Sequence, residues 1–229
     1  MMGLSAVCYG LGYLAGLAAF GYMARRRGIA TTGIWTLMSA GLIGGLAGAN
    51  LTQLIVTGSP GKTLLGGVIC GYIAVVLTKR WLGIVRPTGD LFAMALAAGE
   101  AIGRWGCFFG QCCYGKIASH LPWAIYEHGA YRHPTQAYLA LAATAIFVAL
   151  WYLHTKPLPE NALFYIQGTL FCAARFGIEF FREGPSLFAG LSFAQYACIA
   201  GLAFFGYKMI ELVVKESTPS IFVPTAASR

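Results

Sequence analysis

The 229-residue chain is 58% hydrophobic and only 10% charged, against about 25% charged in an ordinary soluble domain. That balance excludes a disordered chain and argues against a water-soluble globular domain, because there is too little charge to coat a surface and too much apolar side chain for one small core. Sixteen bases against eight acids leave +8, which on a soluble domain would suggest nucleic acid. At a mean hydropathy of +0.66 the bases are read against a bilayer instead, and no nucleic-acid partner is expected.

A bilayer core needs about 20 mainly apolar residues per helix. Seven stretches answer to that, 4–23, 33–56, 63–78, 89–109, 134–153, 161–181 and 187–210; the third is short and the sixth carries charge. The runs are continuous rather than alternating, so a lipid-exposed β-barrel does not fit. Arg25, Arg26 and Arg27 follow the first span, Lys79, Arg80 and Arg86 the third, Lys156 the fifth, and Lys208 and Lys215 the seventh, while only Lys62, Lys116 and Arg132 fall on the opposite side. The positive-inside rule then places the N-terminus out and the C-terminus in. The expectation is an all-α polytopic membrane protein with one helical domain over 1–215 and a short cytoplasmic tail over 216–229. With no basic segment ahead of it, the first span reads as a retained helix rather than a cleaved signal. Gly12/Gly16, Gly44/Gly48, Gly67/Gly71, Gly99/Gly103 and Gly106/Gly110 have the GxxxG spacing of closely packed helices. The segment from about Gly110 to Arg132 is the longest connection on the outer side.

Ionisable side chains inside a span cost about 2.5–3.5 kcal/mol each, so each needs a reason. Glu100 and Arg104 lie four apart on the fourth span, and Arg175, Glu179 and Arg182 at i, i+4 and i+7 on the sixth, which predicts one shared helix face. Such a face must point into the bundle or a wet cavity. Internal ion pairs alone would be neutral; three arginines against two glutamates leave a surplus cation, and a guanidinium fork suits phosphate. Near the outer leaflet that phosphate is a phospholipid headgroup. His133, just before Pro134 at the start of the fifth span, sits where an imidazole can serve as a general base or simply be anchored by water. Cys107, Cys112 and Cys113 fall within seven residues and leave three readings open: packing, thiol chemistry beside Arg104, or a metal. The spacing is not CxxC and no second pair completes a tetrahedral set, so no metal ligands are assigned. Cys8, Cys70, Cys172 and Cys198 read as small buried hydrophobes, and His120, His128 and His154 as interfacial.

Around these residues the sequence resembles the prolipoprotein diacylglyceryl transferase family of bacterial seven-helix inner-membrane enzymes, from Tyr9 to about the seventh span. Gly103–Arg104–x–Gly106–x–Phe108, running on to Gly115, is similar to the family's glycine–arginine signature. His133–Pro134–x–Gln136–x–Tyr138 resembles its HPxQxY motif, and Arg175–Phe176–x–x–Glu179–Phe180–x–Arg182 its RFxxEFxR motif. Tyr9, Gly10 and Tyr13, followed by the arginine run, are similar to the family's opening. The resemblance implies transfer of the diacylglyceryl group of phosphatidylglycerol to the lipobox cysteine thiol of an exported preprotein, with release of glycerol phosphate and no cofactor. It implies catalytic roles for His133, Arg104, Arg175 and Glu179, and substrate-binding roles for Arg182, Gln136, Tyr138, Glu100 and Gly103, in a site toward the outer face of the membrane. The arginines would hold the phosphate and stabilise the leaving group, while a base takes the thiol proton.

Several positions differ from the family pattern. Cys107, Gly110 and Cys112 stand where asparagines and a glutamate are usual, and Leu65 where a histidine precedes paired glycines. Leu139 replaces a glutamate, and an arginine usual in the second span has no counterpart between Gly33 and Val56. The phosphate-holding half looks retained and the acceptor half rewritten. Three alternatives follow: a paralogue using another acceptor, a thiol-redox or metal-handling protein on the same scaffold with Cys107, Cys112 and Cys113 as reactive thiols, and a lipid-binding protein without turnover.

Overall fold

The computed structural model describes residues 2–58 and 63–217; Lys62, residues 218–229 of the tail and the side chain of Leu65 lie outside the described residues. Among the described residues seven α-helices succeed one another: α1 (Met2–Arg26), α2 (Thr32–Thr57), α3 (Leu64–Trp81), α4 (Gly89–Phe109), α5 (Thr135–Leu153), α6 (Ala162–Glu179) and α7 (Phe193–Ser217). Four stretches within them, Gly3–Arg26, Thr32–Ile55, Thr135–Leu153 and Phe193–Lys215, are long and apolar enough to cross a membrane.

Three boundaries correct the sequence reading. The seventh helix begins at Phe193 rather than at 187, behind a 3-10 turn over Phe188–Gly190. Its start is set by a reciprocal pair: Ser192 N donates to Gln195 Oε1 at 2.8 Å and Gln195 N to Ser192 Oγ at 3.3 Å, which is the capping-box arrangement of an S-x-x-Q sequence. α6 stops at Glu179, so Arg182 lies beyond the helix instead of on its face. The connection between α4 and α5 folds into a small hairpin, β1 (Ile125–Glu127) against β2 (Ala130–Arg132), with Tyr126 opposite Tyr131. His128 and Gly129 between them both take positive φ, 48° and 80°, as a two-residue hairpin turn requires.

Small residues bring the helices together. A Cβ at Gly12 of α1 would lie 2.9 Å from Gly99 O and 3.0 Å from Gly103 N of α4, and one at Gly16 would lie 3.0 Å from Ala95 O. α2 and α3 pack as a hairpin in the same way, Gly71 against the Gly41 carbonyl and Gly67 against the Gly45 carbonyl, each 3.2 Å from the would-be Cβ. Close backbone approach through glycine is how apolar helices associate where burial from water supplies no drive.

The apolar core sits at one end of the bundle. Phe20 and Met23 near the end of α1, Leu91 and Met94 at the start of α4, Leu150 near the end of α5 and Leu163 at the start of α6 are all fully buried. Asp90, 0% exposed, is tied into this end by three bonds: Arg27 Nη2 donates to it at 2.7 Å, and the Asn161 and Phe164 amides at 3.0 Å each. Asn161 Oδ1 in turn accepts from Gly89 N at 3.0 Å. The carboxylate thus neutralises a cation at the end of α1 and satisfies free amides at the N-terminus of α6, where the helix dipole favours an anion. Because these termini share one end, the start of α1, the ends of α4 and α6 and the start of α5 share the other. Replacing Asp90 by Ala leaves Arg27 and two amides unpartnered, a loss expected to reach about 3–5 kcal/mol. Thermal unfolding of the purified protein in detergent checks this: Asp90→Ala should melt far below wild type, and Arg27→Ala combined with it should add little further.

Candidate active site

At the second end the α4–α5 connection forms a cap. The segment 114–118 runs between two others. On one side Gly115 N donates to His133 O (3.1 Å), His133 N to Lys116 O (3.0 Å) and Ala118 N to Tyr131 O (2.9 Å). On the other, Lys116 N donates to Phe181 O (2.8 Å) and Glu183 N to Tyr114 O (3.3 Å). The cap is thereby stitched to the end of α6. Gly115 is at its centre, and a Cβ there would lie 2.5 Å from His133 O and 2.8 Å from Phe181 O.

Arg132 is buried at the heart of the cap. Its Nε donates to Glu127 O at 3.1 Å, its Nη1 to Gly115 O at 3.2 Å and to the Glu183 carboxylate, and its guanidinium lies 4.8 Å over the Tyr114 ring. The sequence marked Arg132 only as an outer-side charge; its neighbours are distant in the chain, so no local pattern signals the role. Glu127, 4% exposed, was not singled out either. It accepts from Gln136 Nε2 at 3.2 Å, and the same amide reaches Cys112 O at 2.9 Å. Thr135 Oγ1 donates to Cys113 O at 2.7 Å. The first turn of α5 therefore fixes the backbone of the cysteine segment. Gln136 Oε1 is buried with no hydrogen-bond partner among the described residues.

The ionisable residues converge beneath. Arg104 Nη2 is 3.2 Å from Glu100 Oε1, and Arg175 Nη2 is 2.7 Å from Glu179 Oε2, with both arginine side chains largely buried. Arg182, though past the helix end, returns to within 3.7 Å of Glu179, whose other oxygen accepts from Ser192 Oγ at 3.1 Å. Arg175 lies within electrostatic reach of Arg104 as well as Arg182. Three cations thus share two anions, and Arg182 Nε is buried without a hydrogen-bond partner among the described residues. Gly103 serves the α1–α4 seam described above.

Beside Arg104, Cys107, Cys112 and Cys113 bring their sulfurs within 4.8 Å of one another. Tyr9 of α1 donates its hydroxyl to Cys107 Sγ at 3.3 Å, so the first-span tyrosine joins the same end. Of the remaining cysteines, Cys172 and Cys198 are buried, while Cys8 and Cys70 are partly exposed. His133 is half-buried at the edge of the cap. Its Nδ1 shares a 3.2 Å hydrogen bond with Tyr138 Oη, which also accepts from Trp123 Nε1 at 2.8 Å, and its ring packs 5.0 Å from that of Phe181. Burial, with a smaller contribution from His120, lowers its pKa below the ordinary 6.5. His128 is held by the Gln111 carbonyl at 2.9 Å and rests on Tyr114.

A bundle of apolar helices with three arginines and two glutamates gathered under a polar cap at one end defines a helical protein of membrane type with a surplus of cationic charge at that end. The family model described as prolipoprotein diacylglyceryl transferase matches residues 2–210, and the chain belongs to that family of transferase enzymes. It is 29% identical over 236 residues to the phosphatidylglycerol–prolipoprotein diacylglyceryl transferase of Oleidesulfovibrio alaskensis, covering 88% of each chain. To the protein of the same name from Clostridium tetani it is 28% identical over 81% of this chain and 84% of the relative. To that from Finegoldia magna it is 32% identical over 66% of this chain and 61% of the relative.

Gly115→Ala tests the cap. With backbone carbonyls on both sides of the would-be Cβ, the methyl group can be admitted only by parting 114–118 from a neighbouring segment. The variant should become sensitive to limited proteolysis between 110 and 134, while a control, Gly206→Ala on α7, where the would-be Cβ meets nothing within 4 Å and φ is not positive, leaves the cleavage pattern of the cap unchanged.

Proposed function

We propose that this chain transfers the diacylglyceryl group of phosphatidylglycerol to the thiol of an exported preprotein's lipobox cysteine. The observation that carries the reading is the surplus of guanidinium charge where Arg104, Arg175 and Arg182 share Glu100 and Glu179. A lipid phosphodiester is an anion that supplies the missing charge and accepts the free Arg182 Nε–H. As the bond from glyceryl carbon to phosphate oxygen breaks, negative charge grows on the departing glycerol phosphate, and preplaced guanidinium groups stabilise it without reorganising. Glu100 and Glu179 hold Arg104 and Arg175 in position and keep the empty site tolerable.

His133 takes the acceptor's proton. In the tautomer that donates Nδ1–H to Tyr138 Oη, Nε2 is free to act as the acceptor. Gln136 and Tyr138 act by positioning, the first through the cysteine segment and the second through His133. Seven crossings with the N-terminus out and a single domain over 1–215 place this end of the bundle at the outer face of the bacterial inner membrane, where phosphatidylglycerol and exported preproteins meet. The basic flanks Arg25–Arg27, Lys79–Arg80, Lys156 and Lys215 favour that orientation.

Arg104→Ala and Arg175→Ala should each lower glycerol phosphate release by about 100-fold or more while the protein still inserts in the membrane. The assay uses purified protein, phosphatidylglycerol and a lipobox peptide, and follows both glycerol phosphate and peptide mass; unchanged release would remove the arginines from the reaction, and release without peptide modification would assign another acceptor.

A pH profile tests His133. The lowered pKa keeps the ring neutral, and so basic, through pH 6.5, and the rate should fall only below that value as the imidazole protonates. Protonated His120 disfavours protonation of His133, so His120→Ala should move the acid limb to higher pH. His133→Gln should abolish the limb together with most of the rate. Trp123, Tyr138 and Phe181, the other groups on His133, carry no charge in this range.

A further inference from the structure

We propose that Cys107, Cys112 and Cys113 hold a zinc ion whose open fourth position takes the acceptor thiol as thiolate, an assignment that rests on the transferase reading above. Three sulfurs around zinc at about 2.3 Å sit roughly 4 Å apart. Here the three Sγ atoms already lie within 4.8 Å of one another, so binding asks for a contraction of less than about 1 Å. The chain is bent to achieve this. Gln111 and Cys113, neither of them glycine, take φ of 51° and 63°, left-handed conformations that cost energy and persist only where surroundings enforce them. The enforcement is visible in the bonds from Gln136 and Thr135 to the carbonyls of Cys112 and Cys113. These bonds take carbonyls and no sulfur; the sulfurs' own hydrogen bonds are those of Cys107 Sγ, which accepts from Tyr9 Oη at 3.3 Å, and of Cys112 Sγ, which donates to the Cys107 carbonyl at 3.7 Å.

The donor set also selects the ion and its task. Thiolates favour zinc over hard cations. Among the described residues no histidine, carboxylate or further cysteine joins the three sulfurs, and three protein ligands with one vacant position are the arrangement of a catalytic rather than a structural zinc. Arg104, within electrostatic reach of Cys107 and Cys113, offsets the negative charge that three thiolates leave on a divalent ion. Cys112 is exposed, so the cluster can be reached from outside the cap.

A thiol that coordinates zinc is deprotonated. The proton passes to His133 and then to water. The bound sulfur attacks the glyceryl carbon, a C–S bond forms, the C–O bond to phosphate breaks, and its electron pair leaves with glycerol phosphate; zinc stays divalent throughout.

The full chain in phosphatidylglycerol-containing nanodiscs, loaded with zinc or with cobalt as a spectroscopic probe, tests the proposal. About one metal per chain is expected, with sulfur-to-cobalt charge-transfer absorption that shifts when a lipobox peptide is added and does not shift with its Cys→Ser counterpart. Cys107→Ser, Cys112→Ser and Cys113→Ser should lose the metal, while Cys8→Ser should keep it. Chelation of wild type should slow peptide modification at pH 7 by about 30-fold or more, the factor separating a free thiol of pKa about 8.5 from complete ionisation, and zinc should restore it. Wild type that binds no metal yet modifies the peptide at full rate overturns the zinc assignment and leaves the transferase reading standing. A cobalt spectrum that answers to peptide in protein that releases no glycerol phosphate does the reverse. Tight binding of monovalent copper with no affinity for zinc overturns the assignment as well.

Discussion

A guanidinium removed from water has to place its donors on protein acceptors, and Arg132 does so where three segments meet. It reaches the Glu127 carbonyl at the end of β1, the Gly115 carbonyl in the middle of the cap and the Glu183 carboxylate beyond α6, with Tyr114 beneath its plane. Each bond is of ordinary strength, but together they close a connection of some two dozen residues that has almost no apolar core of its own. Breaking the bond from Nε to the Glu127 carbonyl would leave a buried donor unpartnered, the costly side of hydrogen-bond energetics. The position of His133, next in sequence, and of Arg182, paired to Gly115, both follow from this closure.

The molecule divides its work between its two ends. At one, large apolar side chains pack together and Asp90 is paired with Arg27 and two backbone amides. At the other, three arginines share two glutamates, Arg182 Nε, Glu179 Oε2 and Gln136 Oε1 are buried without hydrogen-bond partners among the described residues, and Gln111, Cys113 and His128 of the cap hold left-handed conformations. Strain and unmet polarity of this kind are sustained only because the opposite end and the glycine seam between α1 and α4 fix the helices independently of them.

The cysteine segment is held by its backbone rather than by its side chains. Gln136 and Thr135 grip carbonyls, not side chains, at Cys112 and Cys113. Side chains at those positions can therefore be exchanged while the loop keeps its course. Gly115 has no such freedom, since backbone crowds it from both sides. Other side chains at Cys112 and Cys113 are thus compatible with the same course of the loop above the arginines.

Hydropathy and charge placement by themselves determined the seven helices to within a few residues at most ends, because an apolar stretch of that length has one stable form in a bilayer. The pairs Glu100–Arg104 and Arg175–Glu179 were also legible, since residues four apart on a helix must be neighbours whatever surrounds them. The start of α7 was missed although Ser192 and Gln195 spell a capping box, a local signal that the continuing apolar run obscured. Only the tertiary structure decided the rest. Arg132, Glu127 and Glu183 meet through contacts spanning up to 51 residues, and no periodicity encodes such a distance. Arg182 returns to Glu179 after its helix has ended. The three sulfurs converge because a turn in left-handed conformations, held from α5, folds a linear spacing into a triangle. Helices are written in local sequence; a site is written in whichever distant groups packing brings to the same few ångströms.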